Sequence, residues 1–240
     1  MKIVDQVFVV TGASSGIGLA TARALHAKGG RVALLARSKD ALQKASNDLP
    51  GSLPVTVDVT EPSDLRDAIQ RVHGEFGKID GLVNNAGRSY AASIEEIEPE
   101  LFDEIFHLNV LAPIVAMQAV IPFMRAQGGG SIVNVNSGTA FMVIPQYSVY
   151  SSSKRALTGF SLTARLELEK DGIVVSQVYP DVTDTNFGKN RMGKPAGGGP
   201  VANYSSGDSA EKVAGFILRA IDEGGAEYFV SERILHMATR

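Results

Sequence analysis

The chain contains no cysteine. That absence removes disulfides, thiolate nucleophiles and most structural zinc sites from consideration. Charge of one sign is also missing: 23 Lys and Arg stand against 26 Asp and Glu, a formal net charge of -3. Such a balance gives no strong pull toward nucleic acid or an anionic membrane. The histidines, His26, His73, His107 and His236, are scattered without HExxH or other close ligand spacing, so no metal site is expected. Long apolar runs are lacking as well. The longest, Val110 to Met124, contains two prolines and is too short to span a bilayer. The opening MKIVDQVFVVTG has an aspartate inside its apolar run and no small-residue cleavage site, so it reads as a first strand and not a signal peptide. Asn203-Tyr204-Ser205 is a glycosylation sequon, but without a secretion signal it carries no weight. A soluble cytoplasmic protein is expected, with neither nucleic acid nor membrane as partner.

What is present is regular. A chain of 240 residues with 44% hydrophobic content can bury a real core. Short β-branched runs predict strands at Val7–Thr11, Arg31–Leu35, Pro54–Asp58, Gly81–Asn84, Ser131–Asn136, Val174–Tyr179 and Glu227–Val230. Helical patterns fall between them, at Ile17–Lys28, Lys39–Asp48, Pro62–Phe76, Glu98–Arg125, Val149–Lys170 and Ser209–Glu223. Ser38 is placed to cap the second helix, and proline opens the third. Strands that are apolar almost throughout are buried on both faces, as in a parallel sheet covered by helices on each side. The fold class expected is therefore α/β: a single doubly wound domain over residues 1–240, with about seven parallel strands and right-handed crossovers. Only residues 181–208 break the rhythm, with the run Lys194 to Pro200 in their middle. A patternless segment of that length in a compact domain reads as a substrate lid or a disordered loop.

Doubly wound sheets bind ligands beyond the carboxyl ends of their strands. The first strand here runs into Thr11-Gly12-Ala13-Ser14-Ser15-Gly16-Ile17-Gly18. Glycine lets the backbone approach a pyrophosphate, and the helix that follows offers free N–H groups and a positive dipole end. The spacing is Gly-x-x-x-Gly-x-Gly, and no Gly-Lys-Ser/Thr ending is present. After the second strand, a carboxylate would favour NAD by accepting from the ribose hydroxyls. The chain has Ala36-Arg37-Ser38 instead, and an arginine pairs with a 2′-phosphate. NADP is favoured over NAD on that residue; the alternative is a solvated arginine at a strand end.

The stretch QYSVYSSSKRAL, residues 146–157, sets three candidate partners around Lys154. Ser151 with Lys154 fits the SxxK of acyl-transfer serine hydrolases, yet their Ser-Asp-Asn and Lys-Thr-Gly elements are missing. Tyr147 is about two helical turns away, or ~10 Å, too far for contact with the lysine. It reads as a pocket wall or as simple packing. Tyr150 lies one turn away on the same face. A phenol with its ordinary pKa near ~10 is a poor acid-base group at neutral pH, and a nearby ammonium favours the phenolate.

With these residues in place the chain resembles the short-chain dehydrogenase/reductase family over nearly its whole length. Thr11 to Gly18 is similar to the family's cofactor loop, Asp58-Val59 to its adenine-contacting pair, and Asn84-Asn85-Ala86-Gly87 to its NNAG motif. Asn109, Ser137, Tyr150 and Lys154 fall where the family carries its catalytic residues. The resemblance implies a Rossmann-type fold and reduction of a ketone or aldehyde, or the reverse alcohol oxidation, by hydride transfer. Tyr150 would donate the proton, and Lys154 would lower its pKa and hold the nicotinamide ribose. Ser137 would bond the carbonyl oxygen, and Asn109 would hold a water linking Lys154 to solvent. The cofactor set it implies is Thr11, Gly12, Ser14, Ser15, Gly16, Ile17, Gly18, Arg37, Ser38, Asp58, Val59, Asn85, Ala86, Gly87, Tyr150, Lys154, Pro180, Thr183 and Thr185. The other class weighed is a dinucleotide-binding regulator without turnover.

Two departures from the family pattern concern residues 179–206. Asp181 replaces a usual glycine, and Thr183 stands where Val or Ile is common, which leaves the loop path open. Lys189, Arg191 and Lys194 make the segment after it basic, either to attract an anionic substrate or as incidental loop charges. Arg88, Tyr90, Phe141, Met142, Ile144, Tyr147 and Phe187 are expected around the pocket. Val110-Leu111, Val115, Ala119 and Phe123 are expected to face a second subunit, because family members pair these helices into dimers or tetramers.

Overall fold

β1 (Val7–Thr11) is buried from end to end. Its residues alternate between two cores: Phe8 and Val10 join one cluster, Val7 and Val9 the other. A strand apolar on both faces has to be covered on both, and that is the architecture found. The computed structural model describes residues 1–188, 190–193 and 207–239. After β1 come α1 (Gly16–Ala27), β2 (Arg31–Ala36), α2 (Lys39–Asn47), β3 (Leu53–Thr56), α3 (Pro62–Phe76) and β4 (Gly81–Asn84). They are followed by α4 (Pro99–Phe106), α5 (Ala112–Ala126), β5 (Gly130–Val135), α6 (Ser148–Leu168) and β6 (Ile173–Tyr179). α7 (Ala210–Glu223), β7 (Glu227–Phe229) and α8 (Glu232–Ala238) complete the chain. The strands form one seven-stranded sheet in the order β3-β2-β1-β4-β5-β6-β7. Every pairing is parallel. Strand order reverses between β1 and β4, which opens a crevice at their carboxyl ends. The doubly wound sheet expected from the sequence is thus present. Ser38 caps α2 by accepting from Ala41 N at 3.3 Å, also as expected.

The fourth expected helix, Glu98–Arg125, is not uniform. A π turn, His107–Leu111, separates α4 from α5. Pro113 has no N–H to give to the carbonyl of Asn109, four residues back, and the helix widens there so that Ala112 N bonds His107 O. The run Pro99–Ala126 is 28 residues, long and apolar enough by length and composition to cross a membrane. This corrects the expectation that the apolar stretch is too short. Half of its most apolar window is buried inside the fold, where Val115, Val120 and Met124 join the cluster beneath β1 and β5.

The expected subunit face needs a second correction. Val110 and Val115 are 7% and 4% exposed and belong to the chain's own interior. Phe123 stacks on His73 of α3 with ring centroids 4.0 Å apart. Of the expected face, Leu111 is left in solvent, and on α6 so are Phe160, Leu162 and Leu166.

The last residues fold back as α8, which carried no helical expectation. Ser231 caps it, accepting from Ile234 N at 3.3 Å. Ile234 is buried over Gly138, where an added Cβ would meet its Cδ1 at 2.2 Å, so only glycine fits beneath it. Asp181 supplies the other anchor. Its carboxylate accepts from Val182 N at 2.8 Å, Ser231 Oγ at 2.9 Å, Arg233 Nε at 3.0 Å and Arg233 Nη2. The path left open at this departure is therefore set by a clasp onto α8. Burial raises the Asp181 carboxyl, but the Arg233 bonds, the Val182 amide and Ser231 outweigh it and hold it below the usual carboxylate range. Stability from a depressed carboxyl is present above its unfolded pKa, near ~3.9, and is lost as pH falls through the folded value. Asp181→Asn should cost about 1–2 kcal/mol, allowing for the half-exposed guanidinium, and speed hydrogen exchange in α8 at neutral pH. That difference from wild type should shrink toward pH 3 (about one unit below the free carboxyl); unchanged exchange at neutral pH would refute the clasp.

Candidate active site

The crevice holds a cleft of about 1260 Å³ lined from both sides of the strand reversal. Its two walls are tied together below. Thr11 Oγ1, at the end of β1, accepts from Asn85 N and Ala86 N, each at 3.0 Å. Asn85 Nδ2 returns a bond to Thr11 O at 3.0 Å. The neighbouring Asn84 is buried in β4 and points elsewhere. It donates to Asn134 Oδ1 at 2.8 Å and so joins β4 to β5. Gly12 has φ 65 and an added Cβ there would meet Asn85 Nδ2 at 2.9 Å. At Gly18 a Cβ would strike Gly12 O at 2.4 Å, so α1 can close on the loop only without a side chain.

Of the sequence-predicted cofactor residues, Gly12, Ser14, Ser15, Gly16 and Ile17 line the cleft on the α1 side, with Arg37, Ser38, Asp58 and Val59 at its far end. Asn85, Ala86, Gly87, Pro180, Thr183 and Thr185 line the middle. Thr11 and Gly18 do not line it; they lie behind the loop and shape it. Ser15 is the N-cap of α1, yet its side chain makes no cap hydrogen bond, so among the described residues the first N–H groups of the helix stand open to an anion. Thr185 crosses over this end, its Cγ2 3.4 Å from where a Cβ on Gly16 would stand. Those donors and that glycine cradle fit the pyrophosphate of a dinucleotide.

At the adenosine end Arg37 Nη1 stands 3.7 Å from Asp58 Oδ2. Asp58 also accepts from Thr60 N at 3.0 Å and Thr60 Oγ1 at 2.8 Å. Burial raises the Asp58 carboxyl, but these bonds and the Arg37 charge together hold it low. Thr60 carried no expectation; an Asx turn after a strand is its only sequence signal.

At the other end α6 presents Tyr150 and Lys154 into the cleft, 6% and 5% exposed. Burial pushes the Tyr150 phenol up to about 12, while a hydrogen bond with Ser137 pulls the other way. Burial likewise pushes the Lys154 amine down to about 8. The expectation that the lysine lowers the tyrosine is not met in the protein itself. Lys154 Nζ is 5.9 Å from the Tyr150 ring centroid and donates to Val135 O at 3.0 Å. Burial dominates both groups, so at neutral pH the phenol keeps its proton and the amine is charged. Ser137 Oγ accepts from Thr139 N at 3.2 Å and Thr139 Oγ1 at 3.0 Å, and Thr139, which the sequence did not single out, lines the cleft too.

Asn109 does not line the cleft and is fully buried. Its Oδ1 accepts from Arg88 N at 3.0 Å, and its Nδ2 donates to Arg88 O at 2.9 Å and Ser153 Oγ at 3.1 Å. Ser153 Oγ in turn donates to Tyr150 O at 2.7 Å. The side chain is thus committed to protein partners, and it joins the NNAG loop to the first turn of α6. Ser151 is 3% exposed, lies outside the cleft, and its Oγ has no hydrogen-bond partner among the described residues. This contradicts a nucleophilic Ser151–Lys154 pair. Tyr147 lines the cleft with its ring 6.4 Å from that of Tyr150, edge-on.

Among the expected pocket residues, Arg88, Met142, Ile144, Tyr147 and Phe187 line the cleft. Tyr90 does not: it is 1% exposed and its hydroxyl accepts from Glu98 N at 3.0 Å. Phe141 turns away to pack on Tyr179 and Phe229. Arg233 reaches the rim from α8, where no local motif announced it. Lys189, Lys194 and the sequon at 203–205 lie outside the described residues. The described ends of segment 181–208 are pinned by bridges, Thr183 to Asp208 and Tyr90 to Met192.

This geometry has counterparts among known proteins. The family model for short chain dehydrogenase matches residues 6–195. Dehydrogenase/reductase SDR family member 7B of Mus musculus is 31% identical over 244 residues, covering 98% of this chain and 76% of that protein. A short-chain dehydrogenase structure from Streptomyces avermitilis superposes with TM-score 0.89 at 31% identity, covering 100% of this chain and 92% of that one. L-sorbose reductase from Gluconobacter frateurii, solved with NADPH and L-sorbose, gives TM-score 0.84 at 30% identity, with 95% and 97% covered. The chain belongs to the short-chain dehydrogenase/reductase family, the oxidoreductases that use a nicotinamide dinucleotide.

Proposed function

We propose that this oxidoreductase is a single-domain, NADPH-dependent carbonyl reductase that acts on a ketone or aldehyde, or runs the reverse alcohol oxidation, with Tyr150 as the acid-base group. The observation that carries the reading is a buried phenol bonded to Ser137 in the same cleft as an uncapped helix N-terminus behind a glycine loop. The bound dinucleotide supplies the hydride. Tyr150 gives its proton to the substrate oxygen, and Ser137, oriented by Thr139, bonds that oxygen and fixes the carbonyl. Lys154, charged below pH about 8, holds the ribose end of the cofactor. Asn109 acts as a positioning residue through Ser153 and Arg88. A relay water would bond its main-chain carbonyl, which Pro113 leaves without its usual donor.

Two features support NADPH over NADH. No carboxylate stands at the end of β2, and Arg37 is 64% exposed at the cleft, paired with Asp58 at 3.7 Å. A guanidinium so placed can turn to a 2′-phosphate at small cost. The sorbose reductase, a relative of similar shape, was solved with NADPH. The lid-like substrate loop expected over residues 181–208 belongs to the same reading, although residues 189 and 194–206 lie outside the described residues.

Tyr150→Phe should lower turnover by about a hundred- to ten-thousand-fold while NADPH still binds. Because the phenol holds its proton to about 12, reduction should not fail through neutral pH for want of that proton, whereas alcohol oxidation should rise with pH. Surviving reductase activity in the variant removes Tyr150 from the mechanism. Tight NADPH binding with no turnover of any carbonyl would favour a regulator instead. Arg37→Ala should weaken NADPH by about tenfold or more and leave NADH nearly unchanged, measured by titration; equal losses would sink the cofactor assignment. A homodimer or homotetramer belongs to the same reading, with Phe160 and Leu166, 50% and 75% exposed, covered by a second copy. Sedimentation of Leu166→Asp should then show smaller particles than wild type, and identical profiles would exclude that face.

A further inference from the structure

We propose that Arg191 selects a substrate with a carboxylate close to its carbonyl group: a short keto acid, reduced to the hydroxy acid. The inference rests on the carbonyl-reductase reading and adds the class of substrate. Its ground is the charge balance of the cleft. Four arginines line it, Arg37, Arg88, Arg191 and Arg233. Three are held by carboxylates: Arg37 by Asp58, Arg88 by Glu104 and Arg233 by Asp181. Arg191 pairs with no carboxylate among the described residues; its Nη1 donates to the hydroxyl of Tyr147 at 3.4 Å. The remaining residues, 189, 194–206 and 240, include no aspartate or glutamate to serve it. A partly buried guanidinium with one side-chain hydrogen bond among the described residues is stabilised by an anion, and its planar fork matches a carboxylate.

The position is held as well as charged. Arg88 Nε donates to Asn190 O at 3.2 Å, immediately before Arg191. Met192, immediately after, donates its N–H to Ser89 O at 2.9 Å and accepts from Ala91 N at 3.1 Å. A side chain flanked on both sides by bonds to the 88–91 segment is not an incidental loop charge. Tyr147 relates this charge to the chemistry, since it touches Arg191 and stands edge-on to Tyr150. A carboxylate on Arg191 therefore leaves a carbonyl only a few bonds away to meet the Tyr150 hydroxyl. The carbonyl carbon then accepts a hydride from the reduced dinucleotide and its oxygen accepts the tyrosine proton. The product is the hydroxy acid, the dinucleotide is left oxidised, and the carboxylate is unchanged.

The test compares 2-oxo and 3-oxo acids with their methyl esters, using the full chain and NADPH. The acids should exceed their esters by about tenfold or more in kcat/KM, the difference lying in KM. Added salt should raise KM for the acids alone. Arg191→Leu should abolish the preference while ester turnover and the Kd for NADPH stay as in wild type, and Arg191→Lys should restore part of it. Wild-type enzyme that reduces ester and acid equally overturns the proposal. So does an Arg191→Leu variant that loses NADPH binding or ester turnover as much as acid turnover, since the guanidinium would then serve the cofactor or the fold. Failure of wild type on every carbonyl, acid or neutral, would instead overturn the carbonyl-reductase reading itself.

Discussion

The hydroxyl of Thr11 accepts two backbone N–H groups from the far side of the strand reversal, and Asn85 answers with its side-chain amide. A parallel sheet that reverses its order must part at that point, and these bonds set how far. Gly12 and Gly18 then let α1 approach the loop within a distance that any Cβ would block. The cleft, the uncapped helix end above it and the reach of α6 across it all depend on that fixed spacing. Neither Thr11 nor Gly18 touches the cleft, yet both determine its floor.

Within the cleft, burial is the strongest electrostatic influence. It raises a phenol and lowers an amine that lie one turn apart on the same helix, so the phenol keeps its proton firmly while the ammonium becomes easier to discharge. Around them the charges are settled in pairs. Asp58 answers Arg37, Glu104 answers Arg88 and Asp181 answers Arg233. A cleft with its arginines so consistently matched makes informative the one that has no carboxylate partner among the described residues, because an unmatched charge near a low-dielectric site is costly to keep. The Asp181 pair also binds the last helix to the loop after β6, joining the end of the chain to the rim of the site.

Much of this was legible in the sequence, and for a physical reason. Strands such as VFVVT bury both faces, so their composition declares a sheet covered on two sides, and the strand ends shift by no more than two residues. Gly12, Gly16 and Gly18 stand at close backbone approaches or positive φ, and Tyr150 and Lys154 share a helix face, so each is a local requirement written locally. The misreadings share the opposite property. Val110 and Val115 are apolar on a long helix, and composition cannot distinguish a partner's surface from the chain's own sheet. Tyr90 and Phe141 lie near pocket residues in sequence but turn into separate clusters.

Residue order alone sets the strand-helix alternation, the glycine loop, the lysine–tyrosine spacing and the arginine after β2, because each depends on neighbours within one turn or one strand. Which charges meet is a matter of packing in three dimensions. Asp181 and Arg233 are joined by the return of α8 over Gly138, and Arg191 is brought to Tyr147 by the 88–91 segment. Packing also makes burial, and not the neighbouring ammonium, govern Tyr150, since desolvation is a property of everything packed around a group and not of the residue four places along.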